Sequence, residues 1–377
     1  MPRLLFFVPN EDYFLSHRLP MARAAVEAGY RVGVITNAAS KRAQIEAEGL
    51  DVLHLPITPG LRSPFNELKI IHRLYRIYKE EKPHVVHHVT LKAITYGGIA
   101  AFCTGIPHII NAIAGLGYIF NSNHLKAQIL RLGITPIFRF LLRRERAVLL
   151  LQNKDDLELL IKSRMAKMEN SIIIPGSGVE LEKYTPTPLP SFNDKIYCAF
   201  SGRMIGIKGL NTLQKAFAIL KEGATYIILR FCGVPDANNP GSWSEGQLKT
   251  WAEEPNIEWL GFCSNMPEIW QNTHIALQPS DGGEGIPKAL LEAAACGRPL
   301  IATDVPGCRE VVEYGQNGYL VSPKDPEALA DAILKLANDK ESCQRFAEYS
   351  PYVIRNRGLS ATDIQQKTKE LYLSFLA

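Results

Sequence analysis

Two carboxylates, Glu284 and Glu292, stand eight residues apart in the stretch "EGIPKALLE", with "LQPSDGG" before it and "AAACGRPLIATD" after it. The preceding "HIALQPS" reads as a strand, "SDGGEG" as a loop, and Pro287 as the first residue of a helix, where the missing amide hydrogen would have been unpaired anyway. Glu284 then falls at the carboxyl end of the strand. Glu292 falls in the helix, about 7–8 Å further along its axis at 1.5 Å per residue. One carboxylate can meet the head of a ligand and the other its tail. Between them, the N–H groups around Gly285 and Ile286, with the helix dipole behind them, form an anion site. A ligand with hydroxyls at both ends and phosphate in the middle is a nucleotide-sugar.

A second constellation lies in "SGRMIGIKGL" (201–210), where Arg203 and Lys208 follow a strand ending in Ser-Gly. Either cation alone reads more readily as a surface charge. With Gly206 and Gly209 beside them, the pair reads as a phosphate cradle. Glu292 alone would read as a solvated helix residue, yet its neighbours "KALLEAAACG" are largely apolar.

These residues need strand ends to hold them, and the chain supplies two series. In the first half, strand-like runs at 3–10, 31–37, 51–57, 84–90, 107–113, 147–153 and 171–176 alternate with helical stretches at 17–28, 65–81, 93–104 and 155–165. The segment "TPTPLPSFND" (185–194), with three prolines, reads as a linker. The alternation then restarts with "KIYCAFSG", "TYIILRFCG", "IEWLGF", "HIALQPS", "PLIATD" and "GYLVS". Strands alternating with helices make parallel sheets covered on both faces. The expectation is an α/β protein of two doubly wound domains, 1–188 and 189–357, with a C-terminal helix at about 358–377 crossing back onto the first. Ligands of such sheets bind beyond the carboxyl ends of the strands, so the expected site is the cleft between the domains.

Composition narrows the class. The net charge of +4 over 377 residues is too mild for a dedicated nucleic-acid binder, although residues 1–190 hold 24 basic and 16 acidic side chains. The seven cysteines form no CxxC, which fits buried thiols in a reducing compartment rather than a zinc site or a disulfide framework. The N-terminal apolar run is too short for a signal peptide, and no run of 18 apolar residues suggests a spanning helix. The expected location is cytoplasmic.

The block "QPSDGGEGIPKALLEAAACGRPLIATDVPGCREVVEYGQNGYLV" (278–321), together with the GR–KG segment at 201–210, resembles the retaining family 4 glycosyltransferases, whose hallmark is two glutamates separated by seven residues in this context. The resemblance runs over nearly the whole chain. It implies the GT-B fold, two facing Rossmann-like domains. It also implies that Arg203 and Lys208 hold the donor diphosphate, that Glu292 takes the ribose hydroxyls, and that Glu284 bonds the donor sugar, with Gly285, Ile286 and Pro287 at the phosphates. Two cations can neutralise the charge growing on the leaving diphosphate, so the resemblance implies no metal and no cofactor. Retention would run through a front-face route in which the leaving phosphate takes the acceptor's proton; a nucleophilic role for Glu284 is the other option.

Acceptor recognition is expected in the first half. His17 and Arg18, in "NEDYFLSHRLP" after the first strand, are candidates for the phosphates or the acceptor; the bland alternative for His17 is that it caps or packs its helix. Where the family usually has a histidine at the end of the fourth strand, this chain has Val89, one residue past His88. Thr90 and Lys92 follow in the expected cleft loop. Gly115, Gly117 and Tyr118 lie in a further strand-to-loop segment. Residues 121–146 carry six cations, one acid and many apolar residues, and read as a basic, apolar helix pair able to lie on an anionic membrane surface, or as domain helices with a charged outer face.

The combination of "HHVTLK", "AGLGYIF" and "EGIPKALLEAAACGRP" is similar to a subgroup that adds sugars to undecaprenyl-diphosphate-linked glycans in O-antigen, capsule or glycoprotein precursors. That resemblance implies a UDP-sugar donor, a lipid-linked saccharide acceptor that Lys288 and Arg309 help to hold, and peripheral attachment to the inner face of the membrane. A soluble acceptor, a nucleotide-sugar epimerase and a non-catalytic sugar binder stay open on the residues alone. A dinucleotide oxidoreductase would need G-x-G-x-x-G after a strand, which the chain lacks.

Overall fold

Runs such as "RLLFF", "VVHHV" and "IILRFC" are apolar and β-branched enough to be buried on both faces, and each becomes a central strand. The computed structural model describes residues 1–38, 40–57, 64–116, 125–237 and 239–376. Among them the chain divides into two units, one of Met1–Ser177 with Thr362–Ala377, the other of Gly178–Ala361.

The first unit has seven parallel strands: β1 (Arg3–Phe7), β2 (Arg31–Thr36), β3 (Asp51–His54), β4 (Val85–Val89), β5 (His108–Ala112), β6 (Ala147–Leu151) and β7 (Ser171–Ile173), in the order β3-β2-β1-β4-β5-β6-β7. The order reverses between β1 and β4, which opens a crevice at their carboxyl ends. Side chains of β4 alternate between two cores, so His87 and His88 are buried on opposite faces. His87 Nδ1 meets the Tyr372 hydroxyl at 2.9 Å and stacks on Phe6, while His88 bonds Tyr78 and Asn111 at 3.0 and 2.9 Å. Burial holds both imidazoles neutral, His88 down to about 4 and His87 well below its ordinary value.

The returning helix, Ala361–Leu373, closes one of these cores with Ile364, Leu371 and Tyr372. The Tyr30 hydroxyl donates to the Tyr372 carbonyl at 2.9 Å.

The second unit holds β8 (Ile196–Ser201), β9 (Ile227–Cys232), β10 (Ile257–Gly261), β11 (Ile275–Gln278), β12 (Leu300–Thr303) and β13 (Gly318–Val321), all parallel, in the order β10-β9-β8-β11-β12-β13. Its reversal lies between β8 and β11, the two strands that lead into the predicted donor residues.

Two expectations need correction. The boundary falls before Gly178, not at residue 188, because the intervening segment is bound into the second unit. The Val179 N–H donates to the Leu359 carbonyl and the Ala361 N–H to the Val179 carbonyl, and the buried guanidinium of Arg298 bonds the Thr187 carbonyl, the Thr187 hydroxyl and the Pro188 carbonyl. The predicted helix pair in 121–146 is, over the described residues, one helix, Leu125–Leu142, running through Pro136. Among the described residues, no helix is long and apolar enough to cross a membrane.

Candidate functional site

Close backbone approaches fix the loop after β8. Gly233 has φ +145°, and a Cβ there would lie 1.8 Å from the Gly202 carbonyl oxygen. Only glycine permits that contact, which seats the start of the "GRMIGIKG" loop against the end of β9. Arg203 points outward and pairs with Asp236 at 2.8 Å. The chain then makes one tight turn, Gly206–Lys208, and Gly209, at φ +82°, begins the helix Leu210–Lys221. A Cβ on Gly209 would sit 1.8 Å from the Pro279 carbonyl, and the Asp281 amide donates to the Ile207 carbonyl at 2.9 Å. The loop after β8 is thus locked to the loop after β11.

That lock brings Lys208 and Glu284 together. Lys208 Nζ lies 2.7 Å from Glu284 Oε1, both side chains being more than four-fifths buried. The same oxygen accepts from the Ser280 hydroxyl at 2.7 Å; Ser280 Oγ accepts from Gln278 Nε2 at 2.6 Å, and Thr303 Oγ1 donates to the Ser280 carbonyl at 2.5 Å. Gly282 and Gly283 both take positive φ, which lets the loop double back so that Glu284 reaches these partners.

Gly285, Ile286 and Pro287 follow, all buried, and lead into the helix Lys288–Ala295. Pro287 precedes that helix with extended backbone (φ −65°, ψ 120°), one position earlier than expected. A Cβ on Gly307 would fall 1.4 Å from the Gly285 carbonyl oxygen, so the short helix Pro306–Arg309 packs directly on this turn.

Glu292, in the second turn of the helix, is 7% exposed. The Trp270 indole N–H reaches its Oε2 at 3.5 Å, and the nearby Tyr184 hydroxyl favours the charged carboxylate. Burial raises its proton affinity despite Lys288, Tyr184, Trp270 and Lys183, which favour the charged form. A carboxylate short of donors can accept a vicinal diol. Lys288 is thus a charge felt by Glu292, while Arg309 pairs with Asp304 at 2.5 Å.

In the first unit, His17 stacks on Tyr13, with centroids 4.6 Å apart, and bonds Ser16 Oγ at 2.7 Å. Arg18 is 1% exposed, with Tyr13 Oη at 3.2 Å and Met21 Sδ at 3.3 Å, in a π-type turn, Phe14–Arg18. Thr90, at the carboxyl end of β4, caps the helix Leu91–Thr104 and takes φ +91°, a conformation strained for a β-branched residue. Lys92 lies 3.4 Å from Glu67, whose carboxylate also accepts from the Tyr96 hydroxyl at 2.6 Å. Gly115 has φ +147°. Gly117 and Tyr118 lie outside the described residues.

Of the predicted donor residues, Lys208 and Glu284 meet directly, and Gly285–Pro287 continue from them. Arg203 and Glu292 engage other partners. Sequence reasoning missed Ser280, Gln278, Thr303, Asp236, Tyr184 and Trp270. Ser280 stood in plain view four residues before Glu284. Tyr184 carried no signal, because it lies just before the segment read as a linker, in a stretch with no motif of its own.

Comparison with known proteins adds the context for this arrangement. The family model for glycosyl transferases group 1 matches residues 185–352, and that for glycosyl transferase 4-like proteins matches 3–153. The chain is 24% identical to the N,N'-diacetylbacillosaminyl-diphospho-undecaprenol alpha-1,3-N-acetylgalactosaminyltransferase of Campylobacter jejuni, over 93% of this chain and 97% of that one. It is 26% identical to the UDP-Gal:alpha-D-GlcNAc-diphosphoundecaprenol alpha-1,3-galactosyltransferase of Escherichia coli, over 74% and 72% of the two. Among solved structures, Anabaena Alr3699/HepE in complex with UDP-glucose superposes with a TM-score of 0.77 at 17% identity, covering 99% of this chain and 100% of that one. Two doubly wound sheets, a lysine–glutamate pair at the reversal of the second and matches along both units lead to one conclusion: the chain belongs to the group 1, family 4-like glycosyltransferases of GT-B fold.

Proposed function

We propose that this glycosyltransferase moves a sugar from a UDP-sugar to a polyprenyl-diphosphate-linked saccharide, with retention and without a metal ion. The observation that carries the donor half is the Lys208–Glu284 pair at the carboxyl ends of β8 and β11, with buried Glu292 in the second turn of the helix that follows the Gly285 and Ile286 amides. Lys208 and Arg203 would take the diphosphate, each exchanging a carboxylate partner for phosphate oxygens. Glu284 would accept from a sugar hydroxyl and Glu292 from the ribose diol. As the glycosidic C–O bond breaks, negative charge grows on the leaving phosphate beside these cations, and that phosphate oxygen takes the acceptor hydroxyl's proton on the same face. Glu284 is then a sugar binder rather than a nucleophile.

The lipid acceptor rests on the names of the two curated relatives, both of which act on undecaprenyl-diphosphate-linked substrates. Thr90, Lys92 and Gly115 in the first unit, with His17, are the candidates for the acceptor, and Lys288 and Arg309 for its diphosphate. Arg18, almost fully enclosed, would act through Tyr13 rather than by direct contact. The membrane surface would meet the helix Leu125–Leu142, where Leu132 is 78% and Phe140 52% exposed and Arg144 lies over Phe102 and Phe140.

The test is UDP or GDP release by purified protein from UDP-GalNAc, UDP-GlcNAc, UDP-Gal, UDP-Glc and GDP-mannose, with and without a short polyprenyl-diphosphate sugar and with EDTA. Release from one donor, raised by the lipid acceptor, indifferent to EDTA and lost in Glu292→Ala supports the reading. Release that ignores every acceptor would assign an epimerase-type reaction instead.

A further inference from the structure

We propose that Ser280 is a positioning residue for donor sugar transfer, the middle member of a chain Gln278–Ser280–Glu284 that sets which oxygen of Glu284 faces the substrate. The inference rests on the donor-site reading above and goes beyond it by naming residues with no counterpart in the glutamate-pair motif.

The direction of the chain follows from proton counting. Ser280 has one hydroxyl hydrogen and is fully buried. Its Oγ lies 2.6 Å from Gln278 Nε2 and 2.7 Å from Glu284 Oε1. A carboxylate only accepts, so the hydroxyl hydrogen must point at Glu284, and the second partner of Ser280 must be a donor. Gln278 therefore presents its NH₂ and not its carbonyl. The Gln278 oxygen is left buried with no hydrogen-bond partner among the described residues, which shows that the amide orientation serves Ser280 rather than Gln278 itself. Thr303 anchors the same turn by donating to the Ser280 carbonyl.

The consequence falls on Glu284. Its Oε1 receives both Ser280 Oγ–H and Lys208 Nζ, at 2.7 Å each, and so is saturated. Oε2 accepts no protein hydrogen bond among the described residues, and it is the oxygen left to accept from a sugar hydroxyl. When the diphosphate draws Lys208 away, Ser280 is the remaining protein donor that keeps Oε1 turned inward and Oε2 turned outward. Without it, the carboxylate rotates about its last torsion, a broad two-fold well, and the sugar loses its orientation.

Ser280→Ala is compared with wild type in steady-state UDP release, using the donor that wild type prefers among the five named above, and in calorimetric binding of UDP. The expected result is a fall in kcat of roughly tenfold to hundredfold, with UDP affinity within about threefold of wild type. Ser280→Thr, which keeps the hydroxyl, restores most of the rate. Gln278→Met removes the donor to Ser280 while leaving Ser280 and Glu284 in place; it gives the same selective loss and carries the test should the serine variants not fold. Folded variants whose kcat stays within about twofold of wild type overturn the inference, as does UDP affinity falling in step with kcat. Wild type that neither binds UDP nor turns over any of the five donors overturns the donor reading itself, and this inference with it.

Discussion

Lys208 reaches across from the loop after β8 to hold Glu284 in the loop after β11 at 2.7 Å, so the residues assigned to opposite ends of the donor's phosphosugar bond neutralise one another before any donor arrives. The pair keeps two charges in a largely enclosed place where either alone would be costly. It must open for both to do their separate work.

Lys208→Met should therefore weaken UDP binding and transfer together, by about 2–4 kcal/mol or thirtyfold and more in kcat/KM. Glu284→Ala should weaken transfer by a similar factor yet leave UDP affinity nearly intact, because its proposed contact is the sugar. Calorimetric titration with UDP separates the two. Equal loss of UDP affinity in both variants would remove the division of roles.

Gly307→Ala should damage the donor site without touching a charged group. Its Cβ would press on the Gly285 carbonyl at 1.4 Å and push the turn that carries Glu284 to Pro287. A tenfold or greater loss of UDP affinity is expected, with unfolding stability lowered by about 1–3 kcal/mol. UDP titration and urea melts of the variant measure both.

Glu292 carries a stability cost that runs with pH. Its folded-state proton affinity is raised by burial, so the folded chain binds more protons than the unfolded one just above pH 4.5, and stability falls as pH rises through that window. Glu292→Gln should melt no lower than wild type at pH 7.5, with the difference between them shrinking toward pH 4.5, while UDP no longer raises its melting temperature. Thermal scans at several pH values, with and without UDP, decide it.

The first unit should be sensitive to acid in the opposite sense. His87 and His88 are held neutral when folded but protonate near 6.5 when unfolded, so stability is lost as pH falls below that value. For His88, held down to about 4, the loss by pH 4.5 is about 2–3 kcal/mol. Chemical denaturation at pH 7.5, 6 and 5 should show the decline, and His88→Gln should flatten it.

Tyr372→Phe should cost about 1 kcal/mol through the lost bond to His87, and Tyr372→Ala about 3–5 kcal/mol through the emptied core. Proteolysis under native conditions should then cut the first unit before the second. An unchanged cleavage pattern would mean that the returning helix contributes little.

Every strand of both sheets was legible in the sequence, because parallel central strands must be apolar on both faces and "RLLFF" or "IILRFC" allow little else. The glutamate pair and the two cations were legible through their glycine-rich settings. What escaped was whatever depends on contacts distant in sequence. The prolines of 185–194 say that the segment is irregular, but not that Arg298 gathers it into the second unit. Tyr184 reaches Glu292 across more than a hundred residues. Residues 121–146 read as a helix pair, yet over the described residues one helix, Leu125–Leu142, runs through Pro136. The strained Thr90 was singled out for its place after β4, and nothing in its residue type foretells a positive φ.

The bond between His87 and Tyr372 joins residues 285 positions apart, with the whole second unit between them. A ribosome making this chain from its N-terminus delivers the seven strands of the first unit long before the helix that seals one of their cores. The second unit, a single uninterrupted stretch whose two ends are stitched together at Val179 and Ser360, is complete first. During synthesis the earlier half must wait, with Phe6, Tyr30 and His87 uncovered, for the last residues to be translated. Truncation of even the final helix would leave that waiting state permanent.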